Sequence, residues 1–578
     1  MIDHSVSNET IIKRICGDSI APEKNWMPAS QTRLIKEPAL LWLDKYGEKN
    51  GFSKDIISDY DLLRRMIFPN GNAFEKKWVD EILPDSSVVC GYPWEVKEID
   101  KVRKTVDLML DGSDSIYQGA LWNANQKIHG VPDIIINSHK FNELFPGLLS
   151  AEMLDINAPE LERGFYLPLD LKFTSKLESK HADLKIYSLQ LRQYAFMIGE
   201  IQGFHPPFGY LITRDRLSDP LPIPILTQYG EDLDHDLSEV CKRYQEIVEH
   251  GDDYRPWTHD LVRYDLKNNN DTPWSSAKIE MAKNHYEGGD PTLLPELNNN
   301  MKVQLNELGM GTLEEIMGQD SSNLPLETIK GIGEIKARNI RAIIDAQSSD
   351  FQLRFNHDVL PAKKKNEFFI DYEYFTNIHV DFENQWPDLE GCEMVFMIGV
   401  GYIDNGEFKF EQFTARLESH ASELQIINEF TRFIEERFGA DLSDDDTSFY
   451  HWSNAEVWQT AKMAQRHNLD PNHLFNRMPF IDLQKIMKLN GIVFPGSRSF
   501  SIKDMAKALS GYKPKFRTEW PDELAVGSDA MVMGWEAYKK DMPLDSYEMG
   551  MIQKYLKIDC LAIWNILSAM RHFIDIDQ

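Results

Sequence analysis

A chain of 578 residues and 66.9 kDa exceeds the roughly 250–300 residues that one hydrophobic core sustains, so several domains are expected; 42% hydrophobic and 11% aromatic residues let each pack a core. The formal net charge of −30 opposes long-range attraction to nucleic acid, so any such binding must rest on local basic surface, with modest intrinsic affinity or a basic partner expected. Five scattered cysteines without a C-x-x-C pair imply neither a disulfide framework nor a zinc site, and a polar N-terminus with no apolar run near the roughly 18 residues of a membrane span predicts a cytoplasmic protein with no membrane partner.

In chain order, the first chemical signal is His129-Gly130-Val131-Pro132-Asp133-Ile134-Ile135-Ile136, which reads as a turn followed by a buried strand. Leu167 to Phe173 reads as a second strand, whose period of two points Asp170 and Lys172 the same way. A carboxylate there can hold a metal while the ammonium orients a water or the phosphate. Gln190 and Tyr194, four apart in an amphipathic helix, share a face. Taken singly, Gly-x-Pro-Asp is a turn, Asp-x-Lys an exposed ion pair contributing about 0–1 kcal/mol, and Gln-x-x-x-Tyr an ordinary helix face.

The three in this order resemble the RecB-like branch of the PD-(D/E)XK nucleases. The resemblance implies Asp133 and Asp170 as metal ligands and Lys172, Gln190 and Tyr194 as catalytic groups. It adds Glu75, from Gly71-Asn72-Ala73-Phe74-Glu75, as a ligand from a preceding helix, and Ser30 to Leu34, Glu37-Pro38 and Trp42 match the family's opening segment. Some members bind an iron–sulfur cluster through a cysteine just before that proline; here Glu37 stands there, and no such cluster is expected.

Next comes Leu326 to Arg338, with Gly331 and Gly333 alternating with apolar residues. Glycines let the backbone turn tightly and bring amide groups at a helix N-terminus close to a phosphate. Lys330, Lys336 and Arg338 add positive charge, which predicts salt-sensitive binding without sequence preference. The pattern resembles helix-hairpin-helix DNA-binding motifs, with Leu308 to Ile316 as a preceding helical unit; the alternative is a packing device without ligand.

Further on, the aromatic run Phe368 to Phe375 predicts a buried strand after the basic stretch Lys363 to Asn366, with Asp371 and Glu373 on one side. Charged residues are rarely buried unless paired or metal-bound, and oxygen-only ligands select hard ions such as Mg²⁺ or Mn²⁺. Roughly 190 residues later, Tyr555 and Asp559 share a helical face. Asp-x-Glu on a first strand and Tyr-x-x-x-Asp on a last helix resemble the DnaQ-like (DEDD) exonucleases of the ribonuclease-H-like fold. That resemblance makes Tyr555 catalytic and Asp371, Glu373 and Asp559 metal ligands, with Glu456 as a longer substitute for the middle-motif aspartate. His451 reads equally as a core histidine or a member of the site, and Asp482 as structural; Phe480 to Leu483 and Ser499 to Lys503 resemble the segment after the middle motif.

The expected architecture is therefore α/β: a PD-(D/E)XK domain over 1–266, a small all-α helix-hairpin-helix domain over 296–348, and a ribonuclease-H-like mixed-sheet domain over 367–578. The polar run Lys267 to Pro273, Gly288 to Pro291 and Asn298 to Asn300 mark the first break, and the acidic run Ser443 to Asp446 reads as a solvated loop. The expected activity is Mg²⁺- or Mn²⁺-dependent hydrolysis of DNA, in single strands or at ends, in DNA repair or antiviral defence. RNA as substrate and a binding scaffold with silent sites stand as alternatives, and a helicase or other protein remains open as a partner.

Overall fold

The apolar runs singled out above form strands, and each sheet they build mixes parallel with antiparallel pairs. The computed structural model describes residues 4–35, 37–55, 62–225, 230–257, 273–439, 445–520 and 527–577. Of the expected linker, 267–272 lie outside these residues, as do Ser443 and Asp444 of the acidic run. The chain divides into two compact units.

The first unit comprises Met1–Lys54, Ile67–Tyr264 and Phe382–Leu389. Its described strands are β1 (Met27–Pro28), β2 (Ser87–Val88), β3 (Ser115–Tyr117), β4 (Leu121–Asn123), β5 (Ile128–Gly130), β6 (Ile134–Asn137), β7 (Tyr166–Lys172), β8 (Phe208–Thr213) and β9 (Leu221–Pro224). Three form a small sheet, β1-β5-β4, and six a larger one, β2-β3-β6-β7-β8-β9. His129 and Gly130 thus belong to a buried strand and not to the expected turn, because each side of Ile128–Gly130 has a partner strand; the turn is confined to 131–133.

The run Ile134-Ile135-Ile136 is buried throughout, as a strand with neighbours on both edges and cover on both faces must be. β7 lies antiparallel to β6 and parallel to β8, opposing Asp170 to Leu211 and Lys172 to Thr213. Parallel neighbours need a long crossover, here the helix His181–Gln202. That helix ends at Gly203, whose φ of +72° gives a left-handed cap that L side chains resist. Its Leu191, Ala195 and Ile198 enter a core with Ile116, Ile135, Leu211 and Trp122, the last edge-on to Trp26 at 5.9 Å. Fully burying a leucine or isoleucine contributes about 1.5–3 kcal/mol, so this face fixes the helix against the sheet.

The second unit comprises Asp55–Met66, Asp265–Asp381 and Glu390–Gln578. Its sheet contains β10 (Asn366–Phe375), β11 (Met394–Asp404), β12 (Glu407–Thr414), β13 (Thr447–His451) and β14 (Phe480–Asp482), ordered β12-β11-β10-β13-β14. β10, β11 and β12 form an antiparallel meander, while β13 runs parallel to β10 and β14 parallel to β13. The long helix Tyr547–Asp577 lies on this sheet where Gly399 leaves room, since a Cβ there would stand 2.6 Å from Leu556.

Residues 296–348 sit in this same unit, and Met301, Leu305, Ile329, Ile340 and Ile344 share one core with Tyr450, Met487 and Ile563. Of the expected helical unit Leu308 to Ile316, only Leu313–Met317 is helix, because Thr312 and Glu315 cap its first turn reciprocally. No described helix is long and apolar enough to cross a membrane.

Candidate functional site

In the second unit the period of two along β10 brings Asp371 and Glu373 to one side, and the helix Tyr547–Asp577 brings Asp559 to meet them. One ligand oxygen from each lies within 4.8 Å of the others, and among the described residues no other group of three or more His, Cys, Asp or Glu is this compact. Glu373 and Asp559 are 5% and 6% exposed, and Asp371 is half-buried. Burial, reinforced by neighbouring charge, holds all three carboxyls well above the usual range; the strongest neighbour is Glu456 for Asp371, and Asp371 for the other two.

Glu456 enters from the first turn of the helix Ala455–Arg466 and shares a hydrogen bond with Asp371. Burial pushes its carboxyl up to about 8. His451, 1% exposed at the end of β13, places Nδ1 3.3 Å from Glu456 Oε2, and burial keeps its imidazole below the ordinary value. Asp482 instead caps the helix Leu483–Asn490, accepting from Lys485 N at 2.9 Å and from Ser453 N at 3.3 Å.

Tyr555 lies one turn before Asp559 and is 5% exposed; burial, then the charge of Asp559, raises its phenol far above the usual value. Two groups absent from the sequence reading complete the site. Trp520 Nε1 donates to Asp559 Oδ1 at 2.7 Å, and Asp529, buried in the helix Gly527–Tyr538, adds charge against Tyr555 and Lys503. Lys503, within the segment Ser499 to Lys503, puts its ammonium 4.7 Å from the Tyr555 ring centre and 5.9 Å from that of Trp520. Burial lowers that ammonium against the raising pull of Asp559, Asp529 and Glu373. Asp371, Glu373, Asp559 and the adjacent Glu456 offer the oxygen-only donors that suit a hard divalent cation, with Asp529 and Lys503 beside them.

In the first unit the sequence-predicted residues also meet, in a looser arrangement. Asp170, 1% exposed, pairs with Lys172 at 2.5 Å, while Asp133 Oδ2 accepts from the Leu171 backbone at 2.7 Å. Asp133 is raised by burial and then by Asp170; burial alone would lower Lys172, but Asp170 and Asp133 outweigh it and keep its ammonium charged. Glu75, on the helix Leu62–Ile82, accepts from Gln118 Nε2 at 3.0 Å. Gln190 donates to the Tyr194 hydroxyl at 2.8 Å, as their spacing requires. Gly130 is sterically required, because a Cβ there would stand 2.7 Å from the Tyr194 ring and from Ala29. Sequence reading missed Gln118 and Tyr187, whose ring centre lies 5.3 Å from the Lys172 ammonium. Tyr187 carries a signal, seven residues before Tyr194 on the same helical stripe.

In the hairpin segment, Gly331 has φ +96° and Gly333 caps the helix Glu334–Asp345, with open space where its Cβ would be. Lys330 stands in the same loop, its backbone N–H donating to Gln304 at 2.8 Å. Lys336 lies 4.0 Å from Glu296. Arg338 is exposed; its guanidinium donates to the Leu489 carbonyl and its methylenes cover Gly491.

No protein-family model matches the chain, and no curated protein matches it.

Proposed function

We propose that the chain is a divalent-metal-dependent nuclease that hydrolyses DNA phosphodiester bonds in single strands or at ends, in repair or in defence against foreign DNA. In this reading the second unit carries a DnaQ-like (DEDD) exonuclease of the ribonuclease-H-like fold behind a helix-hairpin-helix segment, and the first a RecB-like PD-(D/E)XK nuclease. The observation that carries it is the convergence of Asp371, Glu373 and Asp559 from a first strand and a last helix, with Tyr555 one turn away. The strand order β12-β11-β10-β13-β14 supports the same reading.

Asp371, Glu373 and Asp559, with Glu456 beside them, would hold Mg²⁺ or Mn²⁺, which when bound supplies Lewis-acid stabilisation of phosphoryl oxygens and a more acidic water. The protein's own share is positional. Tyr555, its phenol kept neutral, donates a hydrogen bond to the attacking water or a phosphate oxygen. Trp520 fixes the rotamer of Asp559, and Lys503 offers the positive charge nearest the reacting phosphate. In the first unit Glu75, Asp133 and Asp170 would hold the ion, Lys172 carries the charge for the phosphate, and Tyr194, held by Gln190, stands beside Asp170 and Lys172.

The test is cleavage of end-labelled single-stranded DNA, duplex DNA and RNA with Mg²⁺ or Mn²⁺, comparing the wild type with Asp170→Ala, Asp371→Ala and the double variant. Two working sites give a distinct product pattern lost with each substitution. Cleavage confined to RNA makes the protein a ribonuclease. A wild type that retards DNA on a gel and cuts nothing is a scaffold, and the proposal falls.

A further inference from the structure

The second unit contains a cleft of about 580 Å³ lined, among others, by Lys363, Lys364, Lys365, Phe516, Trp564 and Arg571. It lies away from the carboxylates. Asn366, at its edge, precedes Asp371 by five residues of strand, about 16 Å at 3.3 Å per residue, and Arg571 follows Asp559 by twelve residues of helix, about 18 Å at 1.5 Å per residue.

Its charge is local. Lys363 and Lys365 are exposed and Lys364 is half-buried, its backbone N–H donating to Glu367 Oε1 at 3.2 Å; among the described residues no carboxylate forms an ion pair with the three ammonium groups. Glu367 is the one acidic residue in the lining, and it is occupied by Arg571, which it holds at 2.7 and 2.8 Å. Asp445 and Asp446 are exposed just before β13; neither lines the cleft, but the Asp446 carbonyl accepts from the Asn366 backbone at 2.9 Å, so that acid stands beside the lysine run. Lys515 adds a cation on the rim, 4.9 Å from the Phe516 ring centre.

The aromatic wall is built as firmly. Trp564, Ser568 and Arg571 follow helical spacing and share a face. Trp564 is half-buried, braced by Phe408 at 5.5 Å between ring centres. A run of lysines beside braced aromatic rings matches what unstacked nucleotides offer, phosphates at close intervals and bases with free faces; a duplex hides those faces and a simple anion has none. In a chain of net charge −30, such an island is where a polyanion can approach.

We propose that this cleft binds single-stranded nucleic acid, with phosphates on Lys363, Lys364 and Lys365 and a base against Trp564 or Phe516. Its use as a guide for substrate rests on the nuclease reading above; the binding itself does not. The experiment is fluorescence anisotropy of a labelled oligothymidylate with the full chain in EDTA, across a salt series. Variants are the joint Lys363→Gln, Lys364→Gln, Lys365→Gln and, separately, Trp564→Leu.

Each phosphate contact on a single strand contributes about 0.7 to the log–log salt slope, so the lysine variant should lose about 2 of it. Trp564→Leu should weaken binding by roughly tenfold with the slope unchanged. An unaltered slope in the lysine variant overturns the proposal, as does tripolyphosphate competing as well as the oligonucleotide while Trp564→Leu binds like the wild type. Lysine-dependent binding in a protein that cuts nothing sinks the nuclease reading alone; cleavage with a lysine-independent slope sinks the cleft alone.

Discussion

Glu456 offers the sharpest test of the carboxylate cluster, because its folded pKa of about 8 stands against 4.5 for an unperturbed glutamate and it is only 4% exposed. Below about pH 4.5 folded and unfolded chains both carry the proton, and the shift costs nothing. As pH rises the unfolded chain releases its proton while the folded chain keeps it, so stability falls by about 1.4 kcal/mol per unit, reaching about 3 kcal/mol at pH 7. Above about pH 8 both states are ionised and the penalty levels off near 5 kcal/mol. Glu456→Gln keeps the shape and a carbonyl acceptor toward Asp371 but cannot ionise. In EDTA the variant should match the wild type near pH 5 and melt about 6–12 °C higher at pH 7, from the usual shift per kcal/mol in a domain of this size. Circular dichroism melts over a pH series read the effect. Added Mn²⁺ should reverse the order, because an ionised Glu456 beside Asp371 then gains from the cation and the amide gains less. A stability gap that stays constant from about pH 5 to about pH 8 would refute the reasoning.

Tyr555→Phe should leave the melting temperature within about a degree while lowering the single-turnover rate of the Asp371-dependent cleavage by roughly 10²-fold, in the usual range for a lost proton-handling group. Lys172→Ala strands Asp170 and Asp133 in a buried setting and should cost about 3–5 kcal/mol, read as a lower denaturant midpoint, whereas Lys172→Ala combined with Asp170→Asn should recover part of it. Gly399→Ala drives a methyl into Leu556 and should destabilise the second unit by about 1–3 kcal/mol in thermal melts.

What the sequence made legible follows from the range of each signal. Asp371 with Glu373, Tyr555 with Asp559, and Gln190 with Tyr194 are pairs whose geometry is set by the period of one strand or helix, so their spacing alone places them. The contacts of Trp520 and Asp529 could not be read that way. Trp520 reaches Asp559 across 39 residues of chain, and only the packing of the intervening helices decides that it does. The misread turn at His129 and Gly130 has the same origin. Gly-x-Pro-Asp carries strong turn chemistry, but the partner strands that keep Ile128–Gly130 extended lie elsewhere in the sequence. Nor could the spacing foretell that exposed Arg338 also donates to the Leu489 carbonyl, 151 residues away.

The carboxylate cluster also sets a clock on synthesis. Glu373 lies on the first strand of its sheet and Asp559 on the last helix, so a ribosome moving at roughly 5–20 residues per second takes about 10–40 s between making the two. Throughout that interval the nascent chain holds two of the three carboxylates and cannot form the proposed metal centre. The hydrolytic activity proposed for this unit is therefore withheld from any nucleic acid near the ribosome until the last helix has emerged and packed.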